Sequence, residues 1–137
     1  MVAAALLLQG CGDVESAEAD PREGLYLKQN RTSSNRNFLV SYRTRPHPLP
    51  LNQRFAMEIE VAPRPGRQPG QVRAVSVHAQ MPAHNHGMYV RPKVLSQSDG
   101  LYRVEGMLFH MAGHWKLNVD IEHGPFVERA VFDVFLE

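Results

Sequence analysis

Along most of the chain, apolar and polar residues alternate one by one. Phe55, Met57, Ile59 and Val61 are interleaved with Ala56, Glu58 and Glu60, and Val75, Val77 and Ala79 with Ala74, Ser76 and His78. Trp115, Leu117, Val119 and Ile121 alternate with Lys116, Asn118, Asp120 and Glu122, and Ala130, Phe132, Val134 and Leu136 repeat the pattern near the C-terminus. A period of two sends successive side chains to opposite faces of an extended chain, so each run predicts a strand with one buried face. Shorter candidates are 24–28, 37–45, 88–95 and 101–109. No window carries an amphipathic stripe long enough for a helix of twelve residues.

Breakers fall between these runs. Residues 46–52 (PHPLPLN) hold three prolines, which fix φ and cannot donate to a ladder, and 63–70 (PRPGRQPG) form a second breaker cluster. Ser98-Asp99-Gly100 and His123-Gly124-Pro125 read as turns. Short strands with turns every ten residues or so predict an all-β, immunoglobulin-like antiparallel β-sandwich of seven or eight short strands. The domain expected to fold this way spans 25–137.

The first residues follow another rule. Val2 to Leu8 (VAAALLL) is apolar but too short for a bilayer, which takes roughly 20 residues. It matches the hydrophobic part of a secretory signal, and Leu8-Gln9-Gly10-Cys11 follows a lipobox, with an aliphatic residue at −3 and a small one at −1. The expected organisation is a signal peptide over 1–10, then a lipidated Cys11 and a flexible tether over 11–24. No Lys or Arg precedes the apolar run, a departure from the usual signal. The implied address is the cell envelope, with the chain lipid-anchored to a membrane on the extracytoplasmic, periplasmic side.

Composition narrows the remaining options. Of 137 residues, 43% are hydrophobic and 21% charged, enough for a core and too apolar on average for a disordered chain. Fifteen basic against fourteen acidic residues leave no electrostatic footprint for nucleic acid. Cys11 is the single cysteine, so lipidation would leave the domain without a thiol for a disulfide, a nucleophile or a metal. No nucleophile elbow or zinc-protease helix occurs, and the carboxylates look scattered over strand faces opposite the core, so no enzymatic activity is expected.

Histidine and methionine concentrate in two segments. One runs from Met81 through His84 and His86 to Met88; the other holds His110, Met111 and His114 just before Trp115. They flank an expected hairpin whose turn is at Asp99-Gly100, which would bring their outer ends together. Imidazole suits Cu(II), Cu(I) and Zn(II), while thioether is a soft ligand favouring Cu(I). His84 and His86, two apart, would project to one side of an extended backbone and share an ion, with His110 and His114 as partners and Met88, Met111 or Met81 as soft ligands. The structural alternative is open for each: Met81 is in phase with the core, Met111 can plug a bend, and the imidazoles can satisfy backbone carbonyls. His78 reads as a surface residue, and His47 and His123 as ordinary loop residues.

Met81-Pro82-x-His84-x-His86-Gly87, Gly100-x-Tyr102 and Phe109-x-Met111-x-Gly113-x-Trp115, in that order, resemble the YtkA-like / FixH-like domain over roughly 37–136. The resemblance implies a small immunoglobulin-like sandwich outside the cytoplasmic membrane, often lipid-anchored, linked with copper handling or with assembly of respiratory oxidases. Where the family loop commonly has a Met, this chain has His84, which shifts the implied donor set toward imidazole and hence toward Cu(II) or Zn(II). Two functions stay open: an accessory protein binding copper through the His/Met cluster, or a metal-independent module docking onto an envelope partner such as a respiratory or metal-transport complex.

Overall fold

A computed structural model describes residues 26–45 and 48–137. The expected signal over 1–10, Cys11 with its tether over 11–24, and His47 lie outside the described residues. Nine strands follow in order: β1 (Tyr26–Thr32), β2 (Phe38–Arg45), β3 (Phe55–Pro63), β4 (Val72–Met81), the two-residue β5 (His86–Gly87), β6 (Lys93–Ser98), β7 (Leu101–Met107), β8 (Gly113–His123) and β9 (Phe126–Leu136). A single 3-10 turn, Pro82–His84, lies between β4 and β5. Every strand pair is antiparallel. One sheet has the order β1-β2-β3-β7-β6 and the other β5-β4-β8-β9.

The two sheets form a β-sandwich, and the alternation explains why. In β3 the buried positions are Phe55, Met57, Ile59 and Val61; in β4 Val75, Val77, Ala79 and Met81; in β8 Trp115, Leu117, Val119 and Ile121. Their inward faces, with Phe132 and Val134 of β9, make one apolar core between the sheets. Tyr42 meets Phe132 edge to face at 5.0 Å, and Phe109 contacts both Phe55 (5.6 Å) and Trp115 (5.1 Å). Offset and edge-on arrangements of this kind are the favoured ones for aromatic pairs.

Nine strands exceed the expected seven or eight because β5 is too short to show a period. The strand expected over 88–95 begins only at Lys93, after Pro92, since residues 88–92 carry the chain from one sheet to the other. The strand expected over 101–109 stops at Met107, and Phe109 instead forms an isolated parallel bridge with Leu51. The turn at Asp99-Gly100 holds: Gly100 has φ +71°, and a Cβ there would lie 2.5 Å from the Val61 carbonyl oxygen. Only glycine fits that approach.

Register assigns the ends of the sandwich. β2 ends where β3 begins (Arg45 opposite Ala56), Phe55 lies opposite Met107, and Gly113 opposite Leu136; Tyr26, opening β1, lies opposite Thr44 at this same end. We term it the His86 end. Phe38 opposite Pro63, Val72 opposite His123, and His123 opposite Phe126 define the other, the His123 end.

Candidate metal site

β4 delivers Met81 into the core, and the chain then turns back on itself. Pro82 opens the 3-10 turn, Asn85 closes it in the left-handed region (φ 52°), and the Asn85 N–H donates to the Pro82 carbonyl. His86 thereby pairs with Met81 and Gly87 with Gln80, while the Met88 N–H donates to the Ala79 carbonyl at 3.1 Å. Residues directly opposite across a ladder share a face. His86 consequently looks toward the same side as Met81, the rim of the core, and is half-buried.

Its ring is the centre of a cluster. The His86 ring centre lies 5.6 Å from His84, 5.0 Å from His110, 6.0 Å from Tyr89 and 6.0 Å from Trp115. Tyr89 stacks on His110 at 3.9 Å, and His110 meets Trp115 nearly perpendicularly at 5.3 Å. Trp115 is fully buried, and its indole N–H donates to the Met111 carbonyl at 2.9 Å, fixing the ring behind the imidazoles.

His110 is chemically the odd member. Both its ring nitrogens are buried and neither has a hydrogen-bond partner. Leaving a buried polar group unpaired costs about 1–3 kcal/mol. Burial pushes the His110 pKa down, and His86 nearby pushes it down further. Near neutral pH the ring is therefore the neutral imidazole, which carries a free lone pair for a metal.

The predicted ligands divide into two groups. His84, His86 and His110 come together, although not as the extended spacing implied: the 3-10 turn and the left-handed Asn85 separate His84 from His86 in the backbone. Met88 is half-buried and lines, with His86, Asn85 and Arg91, a cleft of 380 Å³. Met111 follows His110 and is half-buried against the core. Met81 is 2% exposed, a core residue.

His114 does not join them. It precedes Trp115 by one residue, so it projects from the opposite face of β8, where Nε2 lies 2.7 Å from Asp133 Oδ1 and the ring stacks on Phe135 at 4.7 Å. Among the described residues, no group of three or more His, Cys, Asp or Glu is close enough to hold an ion as it stands. The geometry is instead two imidazole pairs sharing His86. Two imidazoles bound to one ion through nitrogens at about 2.0 Å set their ring centres roughly 5 Å apart, near the spacing of both pairs. In donor chemistry the three imidazoles suit such an ion, but their present arrangement does not gather them around one.

Two features escaped the sequence reading. Tyr89, which caps His110, carries no motif that marks it. At the far end, Glu128 is 0% exposed, contrary to the expectation that carboxylates face away from the core. It accepts hydrogen bonds from Ser33 Oγ (2.6 Å) and Asn37 Nδ2 (2.5 Å) and lies 2.8 Å from His123 Nε2. His123, expected as an ordinary turn residue, is buried against Phe38. The signal was present: Glu128 is in phase with Ala130, Phe132, Val134 and Leu136.

Comparison with known proteins bears on the same residues. The profile of a family described as YtkA-like matches residues 48–120, which include the 3-10 turn, the whole imidazole cluster and Trp115. No curated protein matches the chain. Among solved structures the chain is similar to as-isolated FetP of uropathogenic E. coli strain F11, recombinantly expressed in the periplasm of E. coli BL21(DE3). The identity is 12% and the TM-score 0.48, covering 82% of this chain and 99% of that one.

Proposed function

The chain belongs to the YtkA-like family, and from that premise we propose that it is an extracytoplasmic, lipid-anchored accessory protein that binds a soft or borderline metal ion, copper foremost. His86 and His110 would hold the ion, with His84 and the Met88 thioether completing the set. The observation that carries this reading is His110: a half-buried imidazole whose two ring nitrogens are buried and unpartnered, 5.0 Å from a second imidazole. A neutral donor set of imidazole and thioether, without a carboxylate, suits Cu(I) and Cu(II) better than a hard cation.

The test is a titration of the purified protein with Cu(I), Cu(II) and Zn(II) in turn. About one copper ion is expected per chain, with quenching of Trp115 (the single tryptophan) by Cu(II), because its ring lies against His86 and His110. His86→Ala should weaken copper binding by at least ~100-fold. Unchanged affinity in that variant overturns the site.

A second reading is favoured by one observation: Tyr89, His110, His86 and Trp115 already pack as a continuous ring stack. On that reading the stack is a structural rim and the domain docks onto an envelope partner without metal. The same titration then gives no binding for any of the three ions.

A further inference from the structure

β1 begins at Tyr26, opposite Thr44, at the His86 end. Leu51 is at this end too: it bridges Phe109, the residue before His110. Tyr89 stacks on His110, and Arg91 lines the cleft beside His86 and Met88. Arg54 lies against Gly106, two residues before the loop that holds His110. Leu51 and Tyr89 are 40% and 76% exposed, and Arg54 and Arg91 are exposed as well.

We infer that the His86 end is the membrane-facing end, and that Leu51, Tyr89, Arg54 and Arg91 rest on the interfacial layer of an anionic phospholipid bilayer. The inference rests on Cys11 being the lipid anchor, as proposed above. Gly12 to Leu25, fourteen residues, separate that cysteine from β1. A chain of that length read as a flexible tether spans roughly 20 Å on average. β8, which runs the length of the sandwich in eleven residues, is about 33 Å long at ~3.3 Å per residue step. Fourteen residues, read from the sequence as a tether, are shorter on average than the domain, and the strand that follows them opens at the His86 end. Basic residues occur at both ends, so charge alone does not choose the orientation; the attachment point does. The exposed residues at that end then suit the neighbourhood they are given, since Tyr is enriched at membrane interfaces and Arg is drawn to anionic headgroups. A metal held at His86 and His110 would accordingly be exchanged at the bilayer surface and not out in the bulk.

Because lipidation consumes the single cysteine, introduced cysteines can be spin-labelled selectively. The full-length lipidated protein, carrying Leu51→Cys, Tyr89→Cys or Phe126→Cys, is reconstituted into vesicles of phosphatidylglycerol and phosphatidylethanolamine. Phe126 marks the His123 end and is 57% exposed, so all three positions tolerate a label. Accessibility of each label to an apolar and to a water-soluble relaxant reports its depth. Labels at 51 and 89 should lie in the interface and the label at 126 in water, with the difference reduced severalfold by Arg54→Glu plus Arg91→Glu. Equal depths, or a deeper label at 126, overturn the orientation, as does a label at 51 and 89 that stays in water because only a protein partner receives this end. Vesicle sedimentation of wild type and Cys11→Ser is scored separately. If the wild type does not sediment, the anchor reading fails and takes the orientation with it; if it sediments but the labels show no order, the orientation alone fails.

Discussion

His110 and His123 sit at opposite ends of one sandwich and in opposite chemical states. His123 is buried, bonded to Glu128, and that carboxylate is itself held by Ser33 and Asn37. Both Glu128 oxygens are hydrogen-bonded, and the assembly ties the β1–β2 turn to the β8–β9 hairpin. His110 has ring neighbours on several sides and a hydrogen bond at neither nitrogen. Native interiors pair their buried polar groups, and an exception calls for an explanation such as a ligand. The comparison separates a histidine whose bonding capacity is used in folding from one whose capacity is held in reserve.

The comparison breaks most visibly at the saturated end. Glu128→Ala removes the common acceptor and strands His123, Ser33 and Asn37 together. Each buried hydrogen-bonding group left unpaired costs about 1–3 kcal/mol. For a domain of this size that lowers the thermal midpoint by on the order of 10 °C, measured by circular dichroism, while copper affinity of the folded protein should not change. Glu128 also sets an acid limit. Burial pushes its pKa up, but the hydrogen bonds from Ser33, Asn37 and His123 outweigh this and hold it below the ordinary glutamate value. A carboxylate depressed in the folded state contributes stability above its unfolded pKa, and that contribution is lost as the pH falls through the folded pKa. Urea midpoints followed downward from pH 6 should therefore fall more steeply in the wild type than in Glu128→Gln. Parallel curves would show that the network does not govern the acid limb.

At the unsaturated end the signs separate. His110→Phe keeps a ring between Tyr89 and Trp115 and deletes two unpaired polar atoms. Replacing an unsatisfied polar group by an apolar one of similar shape is near neutral or favourable, so metal-free stability should stay within about 1 kcal/mol of wild type or rise. Copper affinity should fall in the same variant, by at least ~10-fold in the titration. A loss of stability with affinity intact would reverse the assignment, making His110 the structural residue.

How much of this was legible in sequence depends on the physics of each part. The strands of the core were readable because a period of two maps onto burial residue by residue: Trp115, Leu117, Val119 and Ile121 are all 0% exposed. The meeting of the two His/Met segments was readable from the hairpin between them. β5 was not, because two residues carry no period. Nor was the unpaired state of His110, which depends on which groups fail to reach it, a property of packing between distant segments. Glu128 is legible only in part: the phase of β9 places it inward, but a carboxylate in a core phase needs partners, and Ser33 and Asn37 lie more than ninety positions away in the chain.

His114 carries the smallest expected effect and the sharpest use of the period. Proximity in sequence to His110 and Trp115 made it a candidate ligand, yet the alternation that puts Trp115 in the core puts His114 on the outer face. There it shares Asp133 with Lys116, and their hydrogen bonds hold that carboxyl below the usual aspartate range. All three groups are partly exposed to water, where such pairs contribute little to stability. His114→Ala should leave the denaturation midpoint within measurement error and the copper affinity unchanged, in the same titration that registers His86→Ala and His110→Phe. The triplet thus discriminates between two physical causes of binding. If histidine density near the N-terminal end of β8 were what attracts the ion, all three substitutions would weaken it by comparable factors. If the face of the strand decides, two weaken it and the third does nothing, and the boundary between them falls within the single residue step from His114 to Trp115.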